Sequence, residues 1–182
     1  MAYEFFDGTV IDVQDESDVV KRFYIQMPPE RNFTFKAGQF IMLDLPIDSK
    51  YTNRSYSIAS PPSDDGIFEL CIVLNPSGLG TPYIFENYKP GFKCKVSRNL
   101  GKFNLPEVID TDICFICTGT GIAPLRSMLL DIFNKNIPHQ NLYMVFGNRF
   151  TKDVLYRKEM EALQEQHPEF NFMPILSRDN AD

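Results

Sequence analysis

Arg54-Ser55-Tyr56-Ser57 places a guanidinium, a phenol ring and two hydroxyls within four residues. A guanidinium fork matches the oxygens of a pyrophosphate. A tyrosine ring packs on a flat heterocycle, and a serine hydroxyl donates to or accepts from a ring nitrogen. Strict strand alternation would put Arg54 and Tyr56 on one face and Ser57 on the other, so a shared ligand requires a strand end or a bulge here. The competing reading is an exposed strand of mixed residues. Asn75-Pro76-Ser77-Gly78-Leu79-Gly80-Thr81-Pro82 combines close-approach glycines with Thr81 as a good N-cap and Pro82 as a good first helical residue. A helix start of this kind suits a phosphate, and it also occurs as an ordinary capped helix. Cys117-Thr118-Gly119-Thr120-Gly121-Ile122-Ala123-Pro124 holds a Gly-x-Gly pair, with Pro124 where a third glycine would stand in the dinucleotide fingerprint.

These stretches need elements to hold them. Before Pro106 the chain reads as short strands at 10–13, 19–27, 40–45, 55–59, 68–74 and 94–97, punctuated by Gly38, Pro46, Pro61-Pro62, Gly66 and Pro90-Gly91. Close-spaced short strands predict an antiparallel barrel or sandwich. After Pro106 the rhythm is strand 113–117, helix 123–134, strand 142–146, helix 154–166 and strand 170–176. That alternation predicts a parallel sheet with crossover helices. Leu125, Met128, Leu129 and Ile132 form the core face of the first helix, and Leu155, Met160 and Leu163 that of the second. The Gly119–Gly121 turn then lies at the end of the first parallel strand, where doubly wound sheets bind a dinucleotide pyrophosphate. A purely structural turn is the alternative. Arg149 and Arg178, after the second and third parallel strands, would meet a ribose 2′-phosphate or stand as solvated surface arginines. In the order 3-2-1 the first strand becomes an open apolar edge, which favours self-association, and the chain reads as lacking a C-terminal segment.

Composition removes several classes. The chain has 182 residues, 43% hydrophobic and 23% charged, in the range of ordinary globular proteins. A net charge of −6 argues against nucleic acid as the main partner. No apolar run reaches transmembrane length, and the N-terminus lacks a basic region followed by an apolar stretch, which predicts a cytoplasmic protein. His139 and His167 stand apart from paired cysteines, so no metal site is predicted. Cys114 and Cys117 lie in an apolar strand-like run and read as buried small hydrophobes rather than as a redox pair.

Taken in order, the Arg-x-Tyr-Ser segment, the Gly-rich loop and the Gly-Thr-Gly-Ile-Ala-Pro turn resemble the ferredoxin–NADP reductase-like flavoenzyme family. Asn99-Leu100-Gly101-Lys102-Phe103, Tyr143-Met144-Val145-Phe146-Gly147-Asn148-Arg149, Leu155-Tyr156-Arg157 with Glu159, and Leu176-Ser177-Arg178 extend the resemblance over nearly the whole chain. It implies an all-β, antiparallel Greek-key FAD-binding barrel at 1–105. An α/β NAD(P)-binding domain with a parallel sheet, incomplete at its C-terminus, would follow at 106–182. It implies that Arg54 holds the FAD pyrophosphate, Tyr56 packs on the isoalloxazine and Ser57 bonds its N5 edge, making Tyr56 and Ser57 the residues at the reacting ring. Ile72, Val73 and Leu74 would line the flavin, and Gly80 and Thr81 would complete the pyrophosphate site. Thr118, Gly119, Thr120 and Gly121 would take the NAD(P) pyrophosphate, with Ser177 and Arg178 near its adenosine half. The implied activity is electron transfer from NAD(P)H through FAD to an acceptor protein or small molecule. The strand–helix–strand stretch with which members usually continue is not in this sequence, so a FAD-binding module without its own NAD(P)H activity is the alternative. The sequence leaves the acceptor, the choice of NADH or NADPH, and the oligomeric state open.

Overall fold

The computed structural model describes residues 3–50 and 52–179. Alternating inward and outward side chains build six antiparallel strands: β1 (Phe5–Ser17), β2 (Val20–Gln26), β3 (Phe40–Asp44), β4 (Asn53–Ser57), β5 (Ile67–Val73) and β6 (Lys93–Ser97). Their order is β4-β3-β6-β1-β2-β5. A bridge between Ile58 and Leu70 returns the end of β4 to β5 and curls the sheet into a barrel. Phe23, Ile25, Ile41, Leu43, Phe68, Leu70 and Val96 fill the interior. The helix α1 (Gly80–Asn87) adds Ile84, and Tyr88 just past its end joins the same core.

Two local expectations are corrected here. β1 runs well beyond 10–13, because it pairs with both β2 and β6. Its polar residues Asp12, Gln14 and Asp15 stay in register with β2 between two bulges. Thr81 is not the N-cap of α1: Leu79 occupies that position without a side-chain bond. The Thr81 hydroxyl instead accepts from the Asn75 N–H at 2.8 Å and reaches the Asn75 carbonyl at 3.3 Å, tying down the 75–80 loop.

The rest of the chain alternates β7 (Ile113–Thr118), α2 (Ile122–Asn134), β8 (Leu142–Asn148), α3 (Arg157–Gln166) and β9 (Phe170–Leu176). The three strands are parallel, in the order β7-β8-β9. Phe115, Cys117, Met144, Phe146 and Phe172 share one core with Leu125, Met128, Leu129 and Ile132 of α2 and Met160 of α3. The other face of the sheet is open: Ile116 is 72% exposed and Ile175 55%. The expectation that both cysteines of β7 are buried therefore fails for one of them. Cys117 points to the helices, while Cys114, three residues earlier, points outward and is exposed. α3 also starts later than expected, at Arg157. Val154, Leu155 and Tyr156 are buried ahead of it, and Tyr156 takes a left-handed φ of 53° that interrupts a continuous helix.

The two sheets share an apolar seam. Val20, Ala37, Ala59 and Cys71 of the barrel side belong to the core that α2 and the parallel sheet build. Gly38 sits in that seam with φ of +92°. A Cβ there would fall 2.2 Å from the Met128 methyl and 2.1 Å from the Phe103 carbonyl oxygen, so α2 docks only against a glycine. Among the described residues, no helix is long and apolar enough to cross a membrane.

Candidate cofactor site

β3, itself paired with β6, holds β4 from one side. Arg54 lies opposite Leu43, Tyr56 opposite Ile41 and Ser57 opposite Phe40. The strand ends at Ser57, which supplies the strand end that a ligand shared by Arg54, Tyr56 and Ser57 requires. Tyr56 is half-buried against the barrel core, and burial pushes its phenol up to about 12. Its ring is therefore a neutral flat surface through the ordinary pH range.

The structure brings Arg54 and Gly80 together across the fold. A Cβ on Gly80 would lie 3.2 Å from both Cγ and Nε of Arg54 and 3.3 Å from a Leu45 methyl. A side chain at position 80 would press on the Arg54 side chain, so glycine lets the first turn of α1 sit against the guanidinium without displacing it. The result is one cationic side chain beside a helix start, a donor set suited to a diphosphate. Ile72 is committed to the barrel interior, so only its backbone faces elsewhere. Val73 is exposed, and the Leu74 N–H donates to the Val19 carbonyl, which fixes the course of the chain toward the 75–80 loop.

A cleft of about 830 Å³ opens between the β1–β2 turn and the carboxyl ends of the parallel strands. This is the position at which open α/β sheets bind ligands. Of the expected residues, Val73, Thr118, Gly119, Thr120 and Ser177 line it together. Gly119 has φ of +51°, a conformation that favours glycine, and no atom lies near a Cβ built there. That leaves backbone open to a ligand at the strand–helix junction. Gly121 has ordinary helical angles, so its role is not conformational. Gly147 lets β8 approach β7, since a Cβ would meet the Thr118 methyl at 3.1 Å. Ser177 and Arg178 continue the β8–β9 pairing past its end by donating to the carbonyls of Asn148 and Arg149, and the Arg178 side chain is exposed.

The cleft also contains residues that sequence reading did not single out. Ser17, Val19 and Val20 come from the β1–β2 turn, and Asp153 precedes α3. None carries a local signal, because a tight turn and a lone carboxylate are common. Arg149 and Asp153 both line the cleft, so the cation that suits a 2′-phosphate stands with a carboxylate that suits a 2′-hydroxyl. Among the described residues, no three His, Cys, Asp or Glu side chains group to hold a metal ion.

Comparison with known proteins matches residues 7–105 to the oxidoreductase FAD-binding domain and residues 115–182 to the oxidoreductase NAD-binding domain. Ferredoxin–NADP reductase B of Sorangium cellulosum is 31% identical over 175 residues, covering 96% of this chain and 71% of that protein. The DmpP reductase component of phenol 2-monooxygenase from Pseudomonas sp. strain CF600 is 31% identical over 181 residues. That match covers 98% of this chain and 49% of the relative, so the chain spans about half the length of such relatives. Among solved structures, the Amycolatopsis cytochrome P450 reductase GcoB superposes with a TM-score of 0.85 at 26% identity, over 98% of this chain and 54% of that one. The ferredoxin NADP+ reductase of Neisseria gonorrhoeae, solved with bound FAD and NADP, has the same fold at a TM-score of 0.80 and 24% identity. It is matched over 100% of this chain and 72% of that one.

Proposed function

Because the chain belongs to the ferredoxin–NADP reductase-like FAD- and NAD(P)-binding oxidoreductases, we propose that it passes electrons from NAD(P)H through FAD to an acceptor protein or a small-molecule acceptor. The reading divides the chain at residue 105 into a flavin half and a nucleotide half. Arg54 and the start of α1 at Gly80 and Thr81 hold the FAD pyrophosphate. Tyr56 and Ser57 face the isoalloxazine, with Val73, Leu74 and the Ile72 backbone beside it. Thr118, Gly119, Thr120 and Gly121 receive the nicotinamide nucleotide, with Ser177 and Arg178 toward its adenosine half. When bound, the flavin supplies the redox chemistry; the protein orients the two rings.

The observation that carries the reading is the Arg54–Gly80 contact, a close approach that a side chain at position 80 would crowd. Arg54→Ala is expected to weaken FAD retention at least about tenfold, the scale of one charge-assisted bond set. Unchanged retention of the visible flavin spectrum would remove the assignment. Ferredoxin or an oxygenase component fits the acceptor role, as the names of the relatives suggest. The four cysteines are free thiols, the state that a reducing cytoplasm maintains.

A second reading rests on the open face of the parallel sheet. In it the chain binds FAD, reacts poorly with NAD(P)H and self-associates along the β7 edge. Anaerobic addition of NADPH and then NADH separates the two: prompt bleaching by a monomer supports the first, and a persistent flavin spectrum supports the second.

A further inference from the structure

Arg126, on α2, is buried at 6% exposure yet carries a charge. Its Nε and Nη2 meet the two oxygens of Glu159 at 2.5 and 2.8 Å. Its Nη1 donates across the seam to the Ala59 carbonyl at 2.7 Å and to Glu69 of β5 at 3.2 Å. The Tyr156 hydroxyl donates to the other oxygen of Glu69 at 2.6 Å, and the Tyr156 ring lies 4.3 Å from the guanidinium. The Tyr156 N–H donates to Glu16 of β1 at 2.5 Å, and Glu16 pairs with Arg22 at 3.0 Å. Next to Arg126, the Ser127 hydroxyl donates to the Ser60 carbonyl at 2.6 Å. Burial opposes the Arg126 charge, but Glu159 and Glu69 outweigh it and hold the group protonated beyond its usual range.

The two ends of this knot sit next to the two halves of the cofactor site. Ala59 and Ser60 follow Ser57 by two and three residues. Arg126 and Ser127 follow the Gly119–Gly121 turn on the rigid helix that the turn opens. Apolar burial along Val20, Ala37, Ala59 and Cys71 would hold the halves together without ions. Burying charge is weak evidence for stability, because desolvation offsets the attraction. What the ions add is register: a slip along the seam would leave Glu69, itself 2% exposed, without its cation.

We propose that Arg126 is a positioning residue which, through Glu69, Glu159 and Tyr156, fixes the nucleotide-binding turn relative to the flavin strand. It thereby governs the rate of hydride transfer rather than the affinity for either cofactor. The inference rests on the reductase reading. The step it serves moves a hydride, one proton with an electron pair, from the nicotinamide to the flavin. The first is oxidised to its cation and the second reduced to its anion, with no other reactant. A displacement of about 1 Å at such a site slows the reaction by up to about a hundredfold.

The test uses the full chain with FAD. Arg126→Met strands a buried carboxylate and risks the fold, so Arg126→Lys and Tyr156→Phe are measured beside it. Nitroxide labels on the exposed Cys114 and on an Asp64→Cys barrel site report the distance between the halves. The parent is expected to give one narrow distance distribution and the variants a broadened one. Limiting flavin reduction rates are expected to fall at least about tenfold, with FAD and NAD(P)H dissociation constants within about threefold. An unchanged distance distribution in Arg126→Lys and Tyr156→Phe would overturn the proposal, as would a loss confined to the dissociation constants. A parent chain that takes up no flavin, or flavin that NAD(P)H does not reduce, would sink the reductase reading; the label distances would still decide whether the knot holds the halves.

Discussion

The barrel and the parallel sheet solve the burial problem differently. Barrel strands pair antiparallel, some with the next strand in the chain and some across it, as β1 does with β6, and the curled sheet surrounds a single interior that α1 completes. The parallel sheet needs helices on both faces to bury both, and α2 and α3 pack on the same one. Ile116, Met173 and Ile175 are left outward on a face with no cover among the described residues. The barrel is thus a finished scaffold that holds its candidate residues Arg54, Tyr56 and Ser57 on a strand and Gly80 and Thr81 at the start of α1. The parallel half holds its own on turns at the sheet's carboxyl edge, oriented by contacts with the barrel.

The sharpest way to break this comparison lies within one strand. Phe115→Ala on the helix-covered face of β7 is expected to cost about 3–5 kcal/mol in denaturant unfolding, as a large buried ring is lost. Ile116→Ala, one residue on, is expected to change stability by less than about 0.5 kcal/mol while reducing any self-association seen by sedimentation. Equal costs at the two positions would mean that the outer face is covered in solution.

Thiol reactivity gives the next largest contrast. Burial pushes Cys71 and Cys94 in the barrel, and Cys117 on the covered face, up to about 12. The thiolate is the reacting form. Of the four thiols, Cys114 alone is expected to label with iodoacetamide in the native protein near about pH 8, and all four after denaturation. Native labelling of Cys117 to the same extent would show that the helices leave the sheet readily.

The smallest contrast is in alkali. Burial raises Tyr24 and Tyr56 of the barrel from 10.0 to about 12, and Cys71 and Cys94 from 9.0 to about 12. Groups whose folded values are raised favour the native state below their unfolded values and lose that contribution as pH climbs through the folded ones. The barrel carries more of them than the parallel half. Barrel unfolding, followed by flavin release, is expected to ease between about pH 9 and 12 ahead of loss of the parallel sheet. Loss of both together would mean that the seam makes them one cooperative unit.

Much of this was legible in the residues. Spacing located all three parallel strands and both of their helices, because a period of 2 or 3.6 is a local property of the chain. The Gly119 and Gly121 pair fell at a strand–helix junction as expected, and Leu155, Met160 and Leu163 did face the core or its margin. The misreadings arose where a distant group intervened. Thr81 looked like a cap but bonds to Asn75, and α3 begins late because Glu16 holds the Tyr156 N–H from across the fold. A run of apolar residues in β7 could not say which face would be covered. By itself the sequence determined the elements, the order of the motifs and the residue chemistry at each, since these depend on neighbours a few positions apart. Only the tertiary structure decided that Arg54 meets Gly80, that the β1–β2 turn walls the cleft, and that Arg126 joins Glu69 to Glu159. The named side-chain contacts span 26 to 57 positions, and no local periodicity encodes which charges a folded seam will bring together.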